Sequence, residues 1–102
     1  MSKIFDILKL YRSENIGPVS FFYLINKYQK FEKIFENLLN LEDRWKKKIT
    51  FASDDLIHKE IEETQKFGAD FLTYCDKNFP ISLIKNNVTP ILITLGNIDF
   101  LI

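Results

Sequence analysis

Few residues of this sequence could carry chemistry, and the spacing of most of them argues against it. There is one histidine, His58, and one cysteine, Cys75. A thiolate–imidazole pair needs a third, orienting group and an electropositive pocket, and neither is suggested around these two. His58 is therefore expected on an exposed helix face beside Lys59 and Glu60, and Cys75 as a small hydrophobe ending a buried strand. Asp54/Asp55 and Glu62/Glu63 are adjacent pairs. Neighbours on a helix point about 100° apart, so neither pair converges on one substrate atom. A single cysteine excludes a disulfide framework and any multi-cysteine metal site. No glycine-rich phosphate loop, zinc spacing or nucleophile elbow is present. The sequence thus reads as non-catalytic, with no metal and no cofactor.

What remains is recognition of a polyanion. Asn15-Ile16-Gly17 lies between two helical patterns and is followed by Pro18, which suits the first turn of a new helix. Backbone N–H groups in such a turn, together with the next helix's N-terminus, can hold a phosphate. Asn15 tolerates a left-handed backbone better than most residues, and Arg12, Lys27 and Lys30 could supply cations. The plainer reading is a corner that only packs the core, and it is favoured because Gly-Pro corners before helices are common for structural reasons alone. Trp45 beside Lys46, Lys47 and Lys48 is the one aromatic residue placed for base stacking, although a partly buried loop anchor is the favoured explanation. The formal net charge is zero, but residues 1–51 hold ten Lys/Arg against six Asp/Glu, and residues 52–102 hold four against eight. The basic half favours a polyanionic partner only modestly.

The elements that must position these residues follow from periodicity. Residues 2–12 predict a helix capped by Ser2, with Ile4, Phe5, Leu8 and Tyr11 recurring on one side. A second helix from Pro18 carries Val19, Phe22, Ile25 and Tyr28 on one face, widened by Phe21 and Leu24. In a third, Phe31, Ile34, Phe35, Leu38 and Leu39 sit at i, i+3, i+4, i+7 and i+8, the clearest periodicity in the chain. Residues 40–52 read as a charged connection around Trp45, anchored by Ile49 and Phe51. Ser53 caps a fourth helix, with Asp54 and Asp55 in its first turn, Leu56, Ile57, Ile61 and Thr64 on its face, and Gly68 as its stop. Phe71 to Cys75 then reads as a strand, Asp76 to Pro80 as a turn, and Pro80 to Lys85 as one or two helical turns. Pro90 to Leu95 has almost no polar alternation, so it reads as a strand buried on both faces within a parallel or mixed sheet. Gly96-Asn97 turns the chain before Ile98 to Ile102.

Three stretches taken together resemble the N-terminal part of the DNA-processing protein A (DprA/Smf) family. Leu10 to Phe21, followed by Leu24-Ile25 and Tyr28, is similar to the family's opening helix, "x-G-I-G-P" turn and second helix. Ile61 to Tyr74 is similar to its helix, "L-G-A" corner and first strand. Asp76 to Ile84, then Thr89 to Leu92 and Leu95-Gly96-Asn97, resembles "D-x-x-Y-P-x-x-L" followed by "P-P-x-L-x-x-x-G-N". Asn15-Ile16-Gly17 itself resembles a helix-hairpin-helix turn, whose usual form is glycine-hydrophobic-glycine, with Asn15 in place of the first glycine.

The resemblance implies a mainly α fold. Residues 1–67 would form a SAM-like or helix-hairpin-helix-like helical domain, and residues 68–102 the first strands of an incomplete Rossmann-like α/β domain. In the family that second domain binds single-stranded DNA and assists loading of the recombinase in natural transformation. Its glycine-serine-arginine phosphate motif would begin just beyond Ile102, so a truncated or split family member is expected. The implied candidate site is Asn15, Ile16, Gly17 and Pro18, with Arg12, Lys27 and Lys30. The implied partners are single-stranded DNA, a recombinase or a complementary DprA chain. Two alternatives stay open. One is an assembly module that completes its sheet with another chain or a second copy as a homodimer; the other is a decayed fragment without function. No apolar run approaches the roughly 20 residues of a membrane span, and Asp6 precedes any apolar stretch that a signal peptide would need. A reduced, cytoplasmic setting is the resulting expectation.

Overall fold

A computed structural model describes residues 3–46 and 48–95. The elements are α1 (Lys3–Tyr11), α2 (Pro18–Tyr28), α3 (Phe31–Glu36), α4 (Leu38–Trp45), α5 (Asp54–Lys66), β1 (Ala69–Thr73), α6 (Ile81–Lys85) and β2 (Ile91–Leu95). The fold of these residues is mainly helical with a small two-stranded antiparallel sheet. Ser2 as a cap, Lys47, and the turn and tail from Gly96 to Ile102 lie outside the described residues.

Helix starts and stops follow local chemistry. Pro18 opens α2, and the Phe21 N–H donates to the Gly17 carbonyl at 2.8 Å. The Ser53 hydroxyl caps α5 by accepting from the Leu56 N–H at 3.2 Å. Gly68, at φ +85°, ends that helix in the left-handed conformation that glycine adopts without a side-chain clash. The predicted third helix is instead two. Asn37, at φ −100° and ψ 23°, interrupts it, and its side-chain amide donates to the Lys33 carbonyl at 2.7 Å. That local bond competes with the helical ladder. The chain resumes as α4, so the first part of the stretch expected as a charged connection, Asn40 to Trp45, is helical.

The core is a single cluster. Ile7, Leu8, Leu10, Phe21, Leu24 and Ile34 are wholly buried, joined by Leu41, Ile49 and Ile57 and, from the sheet, Phe71 and Ile91. The expected inward face of α2 is found at Phe22, Ile25 and Tyr28, with Phe21 and Leu24 wholly buried beside it, while Val19 departs from it at 65% exposed. On α5 likewise, Ile57 is buried and Leu56 is exposed. Ile49 and Phe51 anchor the loop as expected, with Phe51 edge-on to Phe35 at 4.8 Å. Two ion pairs join α1 to α5, Lys9 to Asp54 and Arg12 to Glu60, each at 2.8 Å.

β1 pairs antiparallel with β2, Phe71 opposite Ile93 and Thr73 opposite Ile91. The expectation of a strand buried on both faces fails for β2. Ile91, Ile93 and Leu95 share one face, yet Ile91 is buried while Ile93 is 54% and Leu95 60% exposed. Cover is lost along the strand, and on the opposite face Leu92 and Thr94 are half-buried. β1 ends at Thr73, whose N–H and hydroxyl both meet the Asp76 carboxylate, at 2.8 and 3.3 Å. Cys75 therefore lies beyond the strand and is exposed rather than buried. Tyr74, just before it, packs edge-on against Phe21 and Phe22 at 5.8 and 5.9 Å, and burial raises its phenol above the ordinary value.

Candidate nucleic-acid interface

The α1–α2 corner is built by hydrogen bonds to the loop that follows α4. At the end of α1 the Ser13 hydroxyl donates to the Lys9 carbonyl at 2.6 Å and accepts from the Ala52 N–H at 3.1 Å. The Glu14 N–H donates to the Thr50 carbonyl at 3.0 Å. The Asn15 side-chain amide donates to the Lys48 carbonyl at 2.6 Å. Three consecutive corner residues thus hold the extended segment from Lys48 to Ala52. Asn15 itself takes φ 65°, the left-handed conformation its position in the turn suggested. Its side chain is directed to Lys48 and not across the mouth of the turn.

Ile16 is buried under the corner, and its N–H donates to the Ser13 carbonyl at 3.3 Å. Gly17 is extended, at φ −102° and ψ −173°, and provides no side-chain cap for α2. A β-carbon built on Gly17 would meet no atom within 4 Å. The backbone N–H groups of Gly17, Val19 and Ser20 consequently find no acceptor among the described residues. Three uncommitted donors beside the positive end of an 11-residue helix can chelate an anion.

The predicted cations are distributed differently. Arg12 is committed: its guanidinium grips both carboxylate oxygens of Glu60, at 3.2 and 2.8 Å, and that hydrogen bonding raises its pKa further. Lys27 and Lys30 lie at the far end of α2, about 14 Å along the helix axis from Pro18. Lys27 stands over the rings of Tyr23 and Tyr28 at 5.9 and 5.6 Å, and Lys30 precedes α3. The structure therefore brings together Asn15, Ile16, Gly17 and Pro18, and does not gather Arg12, Lys27 and Lys30 at the turn.

The loop after α4, which sequence spacing did not assign to the turn, is bonded to it. Lys46 ends α4 in a left-handed conformation, φ 54°, and the backbone carbonyl of Lys48 accepts from Asn15. Trp45 is half-buried, with its ring 6.3 Å from Tyr23. The Trp-Lys-Lys-Lys run was visible in the sequence; its contact with α2 was not, because it depends on hydrogen bonds spanning more than thirty positions. His58, expected to be exposed, is so, with its ring 4.7 Å from Phe5.

Residues 2–62 match the family model described as the DprA-like N-terminal HHH domain, which is more than half of the chain. A search of curated proteins finds no match.

Proposed function

Since this chain belongs to the family of DprA-like N-terminal HHH domains, we propose that it is a non-catalytic DNA-processing protein whose α1–α2 corner holds a backbone phosphate of single-stranded DNA. The observation that carries the reading is the set of open N–H groups at Gly17, Val19 and Ser20, with the Asn15 side chain drawn aside to Lys48. Such a contact positions a strand without reading its sequence. On this reading the protein works in the cytoplasm, in transformation or recombination, beside a recombinase or a chain that supplies a Rossmann-like domain.

The test is a gel shift at low salt with single-stranded DNA. Binding is expected at micromolar to tens of micromolar concentration and should weaken steeply with added salt. Gly17→Val should weaken it several-fold without loss of fold, because the new β-carbon enters open space at an extended φ. Absence of any shift at tens of micromolar refutes the reading.

One observation favours a second, compatible role in assembly. Leu56, Phe67, Ile93 and Leu95 are all more than half exposed, and the first three help line a groove between α5 and the sheet. An apolar face of this kind, beside strands whose outer edges are unpaired among the described residues, suits further strands from another chain. A monomer in sizing chromatography with slow hydrogen exchange across Ile91–Leu95 would rule against it.

A further inference from the structure

The flank of α2 nearest the corner carries a cleft that the core does not require. Val19, Ser20, Tyr23 and Trp45 line it, with a volume of about 280 Å³. Tyr23 is 44% exposed. The Tyr23 and Trp45 rings, inclined at 52° with centroids 6.3 Å apart, form an open wedge.

The surroundings are cationic. Lys27 stands 5.9 Å from the Tyr23 ring, Lys46 follows Trp45 directly, and Lys48 is tethered to Asn15. None of the three is ion-paired among the described residues. Residues 42–48 hold four cations against two acids. One of those acids, Glu42, already accepts the Ile49 N–H at 3.0 Å.

Aromatic faces with one lysine over the Tyr23 ring and further lysines in the segment that carries Trp45 match a ligand with a planar π-face and negative charge beside it, which is a nucleotide with its base unstacked. A duplex offers only base edges and backbone. An apolar peptide would leave the lysines without partners.

We infer that the Tyr23–Trp45 cleft seats one unpaired nucleobase of a single-stranded nucleic acid, with the flanking phosphates against Lys27, Lys46 and Lys48. This rests on the DNA-binding reading above and adds to it a preference for single strands. Val19 and Ser20 both line the cleft and present the open N–H groups, so base and phosphate seats are contiguous.

The experiment uses the intact chain, fluorescein-labelled oligothymidylate of about twelve nucleotides, an abasic oligomer of the same length, and a matched duplex. Anisotropy reports binding, and emission of the sole tryptophan, Trp45, reports the base. Oligothymidylate should bind about tenfold or more tighter than the abasic strand and quench Trp45, whereas the abasic strand and the duplex should bind without quenching. Tyr23→Ala should reduce the oligothymidylate affinity to the abasic level, and Tyr23→Phe should retain it. Equal, salt-sensitive binding of all three probes with unchanged emission would overturn the base seat and leave the phosphate reading standing. No binding of any probe would overturn both.

Discussion

Replacing Asn15 by glycine and by alanine separates two contributions that the corner combines. The side-chain amide makes one hydrogen bond, to the Lys48 carbonyl at 2.6 Å. A hydrogen bond of this kind contributes about 1 kcal/mol net. The backbone sits at φ 65°, which costs an ordinary L-residue about 1 kcal/mol or more and asparagine less. Asn15→Gly loses the bond, is relieved of the left-handed penalty, and gains freedom in the unfolded chain, so a net loss of about 1 kcal/mol is expected. Asn15→Ala loses the bond and carries the full penalty, for a net loss of about 2 kcal/mol. In a domain of this size each kcal/mol lowers Tm by roughly 4–8 °C. Urea titration followed by far-ultraviolet circular dichroism gives both values, provided the slope is unchanged. Equal losses for the two variants would show that φ 65° carries no cost here, and a neutral alanine variant would show that the bond to Lys48 carries none.

Other residues give further expectations. Ser13→Ala removes the acceptor of the Ala52 N–H and should lower stability by about 1–3 kcal/mol in the same titration, since the donor is left part-buried and unsatisfied. Ser53→Ala removes the cap of α5 and should cost about 1 kcal/mol by thermal melting. Asp6 has a raised carboxyl pKa, caused first by burial and then by Glu32. Its folded state therefore holds the proton more tightly than the unfolded state, and stability declines as pH rises from the ordinary carboxylate value of 3.8 through the raised one. Asp6→Asn should accordingly stabilise the protein relative to the parent above that range, with the advantage vanishing at lower pH; an advantage independent of pH would refute the assignment.

Where a feature depended on residues near in sequence, it could be read from the sequence. Pro18 starting α2, Ser53 capping α5, Gly68 ending it and the left-handed Asn15 are local stereochemistry, and each is found where expected. The break at Asn37 was missed because the apolar spacing from Phe31 to Leu39 continues unaltered through it, and periodicity is blind to a side chain that bonds back to the Lys33 carbonyl. The outward turn of Val19 and Leu56 was missed for another reason. An apolar stripe wider than its partner leaves its edge exposed, and only packing decides which edge. The commitment of Arg12 was beyond sequence reading, since Glu60 lies 48 positions away.

The departure of this corner from the glycine-hydrophobic-glycine form follows from where the Asn15 side chain goes. A glycine there would leave the mouth of the turn as open as possible but would contribute nothing to holding Lys48. Asparagine accepts the same backbone angle and uses its amide as a tether, which with Ser13 and Glu14 holds the chain that follows Lys46 against α2. The open N–H groups of Gly17, Val19 and Ser20 and the Tyr23–Trp45 cleft are therefore positioned by one set of bonds. Asn15→Gly should accordingly affect the two halves of nucleic-acid binding unequally. Affinity for the abasic strand should fall only slightly, because the three N–H donors of the corner remain and Asn15 did not obstruct them. The added affinity for a base should fall, because Lys48 and the preceding Trp45-Lys46 are no longer pinned to the corner. A parallel loss of both, measured by anisotropy at constant salt, would show that the tether only stabilises the fold and that the two seats are not coupled through it.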